Sequence, residues 1–351
     1  TVPRCVAGAL EAGSGHAVAR AFARLHEPLA AASVARPVRV PPGLRVLTVG
    51  GATRGGSGAT PLAIACAALL ADAGARVVFV GHGYGARPGP LRLASPTNPR
   101  DGVGDEAFVA ARALASRAVP VVVAPRRSAA LAWAASRAEV VVVDGAVQLR
   151  PQRADLALLA VDAAAPWGAG AVPPAGDLRA PVAVLRRAAD AVVAVGPMGP
   201  VGAVGEDTPE AASAGEPAAH AVMPGVEVAG ALLPWASVRA LRLGLVTALA
   251  RPDRIVRSLA HHGVTPQVVV SAADHGPARA VHRRAVAAAR GIDLWVATRK
   301  CAVTFAPLLG GALATLAYTV VPNPALRALC LTRCGPFASP PRAERTPRPR
   351  P

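Results

Sequence analysis

The stretch Val46–Leu62, VLTVGGATRGGSGATPL, decides the fold class. An apolar run with Val46, Leu47 and Val49 leads into a glycine cluster (Gly50, Gly51, Gly55, Gly56, Gly58), and a helix-forming run opens at Thr60-Pro61. Strand, glycine loop and helix start form the layout of a phosphate-binding loop: glycines let backbone N–H groups turn inward, and the helix N-terminus adds partial positive charge. The loop that grips nucleotide phosphates reads G-x-x-x-x-G-K-[ST]. Here its lysine position holds Ala59, so the loop has a nucleotide-binding shape without its main cation.

Working outward, Leu62 to Ala73 reads as a helix and Ala75 to Val80 as a buried strand, which completes a βαβ unit and predicts a parallel α/β sheet. Further units repeat the pattern: helix Asp105 to Ser116, strand Val119 to Val123, helix Ser128 to Arg137, strand Val140 to Val143 and strand Leu156 to Val161. Asp144 and Asp162 then stand at carboxyl ends of strands, where doubly wound sheets place their chemistry. Gly81-x-Gly83-x-Gly85 follows a strand but opens no helix, so it reads as a turn near the cleft rather than a dinucleotide fingerprint.

At 351 residues with 52% hydrophobic content, the chain is long enough for about two cored domains. Residues 1–40 read as a peripheral amphipathic region, 41–195 as the loop-bearing α/β lobe and 196–235, rich in Gly, Pro, Ala and acids, as a linker. Residues 236–335 read as a second α/β lobe, and 336–351 as a basic, proline-rich disordered tail. The run Gly15 to Ser33 is expected to be helical, kinked or ended at Pro28, either lying on a membrane surface or capping the core. Charges at Arg20, Arg24 and Glu27 keep it from spanning a bilayer.

The formal net charge is +17, and Lys300 is the only lysine. So basic a chain suits an anionic membrane surface. The arginines are scattered, no recognition motif is present and aromatics are only 3%, so no nucleic-acid partner is expected. Five cysteines show no metal-ligand pattern, and a reducing cytosol is the expected compartment.

The ordered series TVGGATRGGSGATP, GHGYGA, GDEAF, VVDGAVQ, RADLALLAVDA, PWGAG, PPAGDLRAP, LRRAADAVV, LVTALARPDRIVRSL, AADHG and LWVATRKCAV, across about residues 44–305, resembles the tetraacyldisaccharide 4'-kinase family of lipid A biosynthesis. The resemblance implies two P-loop kinase-like α/β lobes, parallel sheets with helices on both faces, joined by a linker. It implies transfer of the γ-phosphoryl of ATP, with Mg²⁺, to the 4'-hydroxyl of a lipid A disaccharide precursor at the inner face of the cytoplasmic membrane. Asp105 and Glu106 match the family's acidic pair, and His275 matches the histidine after an aspartate, here Asp274. An Asp polarised by a His suits removal of a hydroxyl proton. Gly55, Gly56, Ser57, Gly58, Ala59 and Thr60 match the nucleotide loop. Thr60 and Asp144 match Mg²⁺ ligands, and Gln148 a motif glutamine.

The nucleotide side departs from the family at Ala59, at Gly145 and Leu149 in place of an Asp and a His, and at His82 in place of an arginine. Arg299 and Cys301 replace acidic residues on either side of Lys300, and Gly276 replaces an aromatic or His. Arg54, at the start of the loop, reads either as a substitute phosphate cation or as a solvated loop residue. A working kinase and a non-catalytic relative that binds nucleotide or lipid precursor are both open to this sequence.

Overall fold

The computed structural model describes residues 17–81, 89–95, 100–197, 215–249, 252–271 and 280–337, together with residues 13 and 83. Helix α1 (Ala17–Ala32) precedes β1 (Ala35–Val38) and the central strand β2 (Arg45–Gly51), which feeds the glycine loop and α2 (Ala59–Asp72). The alternation continues through β3 (Val77–Val80), β4 (Arg92–Ala94), α3 (Asp105–Leu114), β5 (Val121–Val123), α4 (Arg127–Ala134) and β6 (Val140–Asp144). Strands β7 (Gln148–Pro151) and β8 (Leu156–Asp162), helix α5 (Val182–Ala188) and strand β9 (Ala191–Pro197) complete the first part.

Residues 215–337 add β10 (Ala218–Val222), β11 (Gly225–Val228), β12 (Ala231–Pro234), β13 (Leu243–Thr247), α6 (Pro252–His261) and β14 (Val268–Ser271). Then come α7 (Ala280–Ala288), β15 (Leu294–Ala297), α8 (Arg299–Leu309), β16 (Leu313–Leu316), β17 (Thr319–Pro322) and α9 (Pro324–Cys334).

The larger sheet runs β17-β10-β9-β8-β2-β6-β3-β5-β4, and all its pairings are parallel except those of the outermost strands β17 and β4. Parallel strands buried on both faces read as unbroken apolar runs, and β6 shows why: Val140 and Val142 join the cluster under α2 and α3, while Val141 and Val143 join the one under α4. The second sheet runs β12-β11-β16-β15-β13-β14, with β16, β15, β13 and β14 parallel. The expected α/β class, with helices covering both faces of parallel sheets, is the observed one.

The sheets divide the chain differently from the expected segments. Residues 218–234, read as linker, form three strands: β10 extends the first sheet, while β11 and β12 join the second. The chain then returns, since β17 pairs with β10, and Leu326, Cys330 and Cys334 of α9 pack in the same core as Leu62 and Cys66 of α2. Short strands of small residues such as AAHAV carry too little apolar periodicity to stand out; cross-strand pairing makes them strands.

Helix α1 passes through Pro28 without ending. Ala23 and Ala30, on either side of the proline, are both buried in one cluster with Val34, Val147 and Leu178, which holds the two halves in line despite the lost i→i−4 bond.

Candidate active site

The glycine loop leaves the carboxyl end of β2 between β6 and β8, at the middle of the larger sheet. Gly58 caps α2 with φ 76°, and a Cβ there would lie 2.8 Å from Val195 Cγ1, so both backbone conformation and space demand glycine. The loop is stapled at its start. The Thr53 hydroxyl donates to Gly55 O (2.6 Å), Arg54 N donates to Asp177 O (2.9 Å), and Arg179 Nε donates to Thr53 O (2.9 Å). Ser57 is buried, and Arg54 points its side chain to solvent.

Asp144 closes β6 and pairs in register with Val49. It is 2% exposed, and its Oδ2 has no hydrogen-bond partner in the protein. Burial raises its pKa to about 7, reinforced by the charge of Glu106. The Thr60 hydroxyl, Arg127 and the Gly145 N–H oppose the rise by favouring the charged form. A buried carboxylate oxygen without a protein partner, beside a hydroxyl at a helix N-terminus, is the donor set that a hard divalent cation takes together with water and phosphate oxygens. Thr60 and Asp144 therefore fit Mg²⁺.

Two arginines that the sequence reading passed over frame this pair. Arg127, at the start of α4, donates from Nη2 to the carbonyls of Asp144 and Gly145 (3.3 Å each), and its Nε is buried without a partner. Burial, then the charge of Arg36, lowers its pKa. Arg179 keeps part of its surface open to solvent yet sits deep enough that desolvation, followed by the charges of Arg36 and Arg54, lowers its pKa. Arg179 belongs to the segment PPAGDLRAP, one of those that carry the family resemblance. Arg127 sits in an arginine-rich stretch where composition hides any single guanidinium.

Asp105 and Glu106 occupy the first turn of α3, where the helix dipole favours anions. Lys300, near the start of α8, reaches them from the second sheet: its Nζ is 3.9 Å from Asp105 Oδ2 and 3.7 Å from Glu106 Oε1. Glu106 in turn acts electrostatically on Asp144 and Arg179. The structure thus brings together Asp105, Glu106, Lys300, Asp144 and Thr60 at the carboxyl edge of the larger sheet. Gln148 is buried and holds the turn after β7, its Oε1 accepting from Leu149 N (2.9 Å) and Ala154 N (2.7 Å). His275, Asp274, Gly276 and His82 lie outside the described residues.

A family model described as tetraacyldisaccharide-1-P 4'-kinase matches residues 16–333 of this chain. The chain belongs to the tetraacyldisaccharide-1-phosphate 4'-kinase family. Similar relatives include the tetraacyldisaccharide 4'-kinase of Methylobacterium sp. (strain 4-46), 36% identical over 328 residues that cover 89% of this chain and 93% of the relative. Another is that of Methylorubrum populi, 35% identical over 308 residues, 86% of this chain and 89% of the relative. Among solved structures, the "apo" form LpxK from Aquifex aeolicus in complex with ATP aligns with a TM-score of 0.63 over 90% of this chain and 95% of that one. At 20% identity that likeness speaks for the fold. The glycine loop carries Ala59 where the phosphate-binding pattern has its lysine.

Proposed function

We propose that the chain is an ATP-dependent kinase of lipid A biosynthesis, which phosphorylates the 4'-hydroxyl of tetraacyldisaccharide 1-phosphate. The observation that carries this reading is the convergence of an acidic pair, Asp105 and Glu106, on a glycine loop with Thr60 and Asp144 behind it. The membership of the chain in the family and the ATP named for the Aquifex aeolicus relative support it.

In this reading Asp105 takes the proton of the acceptor hydroxyl as its oxygen bonds to the γ-phosphorus and the bond to the β–γ bridging oxygen breaks, releasing ADP. His275 is the residue we assign to orient Asp105. Phosphoryl transfer asks the protein for positioning and charge neutralisation rather than covalent chemistry. The loop from Gly55 to Thr60 offers N–H groups to the phosphates, with Arg54 at its outer end. Thr60 and Asp144 would hold Mg²⁺, which neutralises phosphate charge when bound. Arg127, fixed on the carbonyls beside Asp144, keeps that carboxylate in place.

The acceptor lipid lies in a membrane, and α1 suits a membrane surface. Its small residues Ala23 and Ala30 face the protein, whereas Val18, Phe22, Leu25 and Leu29 are 59–75% exposed, with Arg20 and Arg24 also exposed. Large apolar side chains outward and alanines inward invert the usual amphipathic helix, and the pattern fits an interface of acyl chains and anionic headgroups. No helix among the described residues is long and apolar enough to cross a membrane. The outward apolar face of α1 supports our reading that the protein binds peripherally at the cytoplasmic face of the inner membrane.

The test is transfer of labelled γ-phosphate from MgATP to tetraacyldisaccharide 1-phosphate in mixed micelles. Slow turnover is expected, lost in Asp105→Asn and raised in Ala59→Lys by about 10²-fold, the usual worth of one preorganised donor. No transfer by either the parent or Ala59→Lys would favour the second reading, to which Ala59 itself points: a non-catalytic relative that binds nucleotide or lipid precursor.

A further inference from the structure

Resting on that kinase reading, we propose that Arg127 is a phosphate-binding residue, whose guanidinium takes a phosphoryl group at the carboxyl end of β6, beside Asp144. Nucleotide and acceptor lipid both carry such a group. Arg127 opens α4, and with Ala130, Leu131 and Ala134 it completes an i, i+3, i+4, i+7 stripe. The three apolar residues of that stripe are fully buried against the sheet. An arginine at the head of a buried stripe is carried over the ends of the strands. Its Nη2 accordingly lies 3.3 Å from the carbonyl oxygens of Asp144, the last residue of β6, and of Gly145.

Those two contacts leave the guanidinium under-satisfied. It has five N–H donors, both bonds are long, and both come from one nitrogen. Arg127 Nε is enclosed without a hydrogen-bond partner, and so is Asp144 Oδ2; among the described residues these are the two buried side-chain atoms left in that state. The third nitrogen, Nη1, is neither enclosed nor bonded among the described residues, so the cation can be reached from outside. An unpaired buried polar atom is costly, and here a donor on a cation and an acceptor on a carboxylate belong to residues that touch. A phosphoryl group accompanied by a divalent cation answers both: oxygen for Arg127 and metal for Asp144.

Direct contacts join this place to the glycine loop. Gly145, whose carbonyl Arg127 holds, donates its N–H to Val49 O (2.9 Å). Gly50 is pressed against the same turn: a Cβ there would lie 2.4 Å from Val147 Cγ2 and 2.9 Å from the carbonyl carbon of Ala146. The guanidinium is therefore fastened to the turn on which the loop rests. The surrounding charge agrees, since burial and then the charge of Arg36 weigh against the charged forms of both Arg127 and Arg179. An anion placed among them relieves that repulsion.

Equilibrium binding to the full chain tests this, with MgATP, with ATP in EDTA, and with tetraacyldisaccharide 1-phosphate in mixed micelles. Arg127→Met is expected to weaken one phosphorylated ligand by about tenfold or more, the scale of one charge-assisted hydrogen bond. Loss for ATP assigns the phosphoryl group to the nucleotide, and loss for the lipid assigns it to the acceptor. For the nucleotide, the loss should persist in EDTA, because the contact is direct. Arg127→Lys, with the charge but no planar fork, should fall between the parent and Arg127→Met. It carries the test if calorimetry shows no cooperative unfolding of Arg127→Met. Unchanged affinity for both ligands, an equal loss for both, or a loss for MgATP that disappears in EDTA would each overturn the inference while leaving the kinase reading intact. The last of these would mean that Arg127 acts only by holding Asp144 for the metal. An unaltered chain that binds neither ligand would overturn both.

Discussion

At Asp144, burial and the charge of Glu106 act together against the charged form. Its carboxyl titrates near pH 7 in the folded protein against a usual value of 3.8. Between those values the folded state holds a proton that the unfolded chain has released, so the contribution of Asp144 to stability falls as pH rises from about 4 to about 7 and then levels off. Asp144→Asn has no such proton to lose. In nucleotide-free protein its Tm relative to the parent is therefore expected to climb across that window and to exceed the parent's at pH 8. Thermal unfolding of both proteins from pH 4 to pH 8 checks this, and a constant difference would show that Asp144 titrates normally. Asp144 was legible in the sequence because it ends a run of valines. Its perturbed protonation was not, because that needs Glu106, 38 residues away in the chain, brought close by the sheet.

At the scale of elements, α1 and α2 behave oppositely. Helix α2 is apolar on nearly every face and buried under the sheet, with Leu62, Ala63, Cys66, Ala67 and Leu70 fully enclosed. Its existence was readable from the glycine loop before it, although it starts at Ala59, three residues ahead of the expected Leu62. Helix α1 was readable as a helix, but which face it would bury was not, since alanine and leucine both count as apolar and only packing against Val147 and Leu178 shows that the alanines go inward. Replacing Phe22 and Leu25 with serine should cut partition onto anionic phospholipid vesicles by about tenfold or more, since each large side chain contributes about 1.5–3 kcal/mol when fully buried. Thermal stability should change little, because both side chains face solvent. Vesicle sedimentation measures the first and calorimetry the second. Equal partition of parent and variant would remove α1 from the membrane contact.

Across the whole molecule, the return of β17 and α9 to the first sheet ties residues 319–334 to the core beneath the glycine loop. Leu326 is fully buried there with Leu62 and Leu70. Leu326→Ala is expected to cost about 2–5 kcal/mol and to speed hydrogen exchange in α2, although residue 326 lies in the last tenth of the sequence. Faster exchange confined to the second sheet would contradict that packing. The sequence by itself determined the α/β class, the glycine loop with its absent lysine and the family, because these reside in short local patterns: an apolar run, glycines that fix a turn, and an ordered series of segments. Only the tertiary structure decided that residues 218–234 are strands rather than linker, that the chain crosses back, and that Lys300 stands beside Asp105 and Glu106. Those features depend on pairing between strands and on charges far apart in the chain, and the free energy of such contacts exists only once the backbone has brought them together.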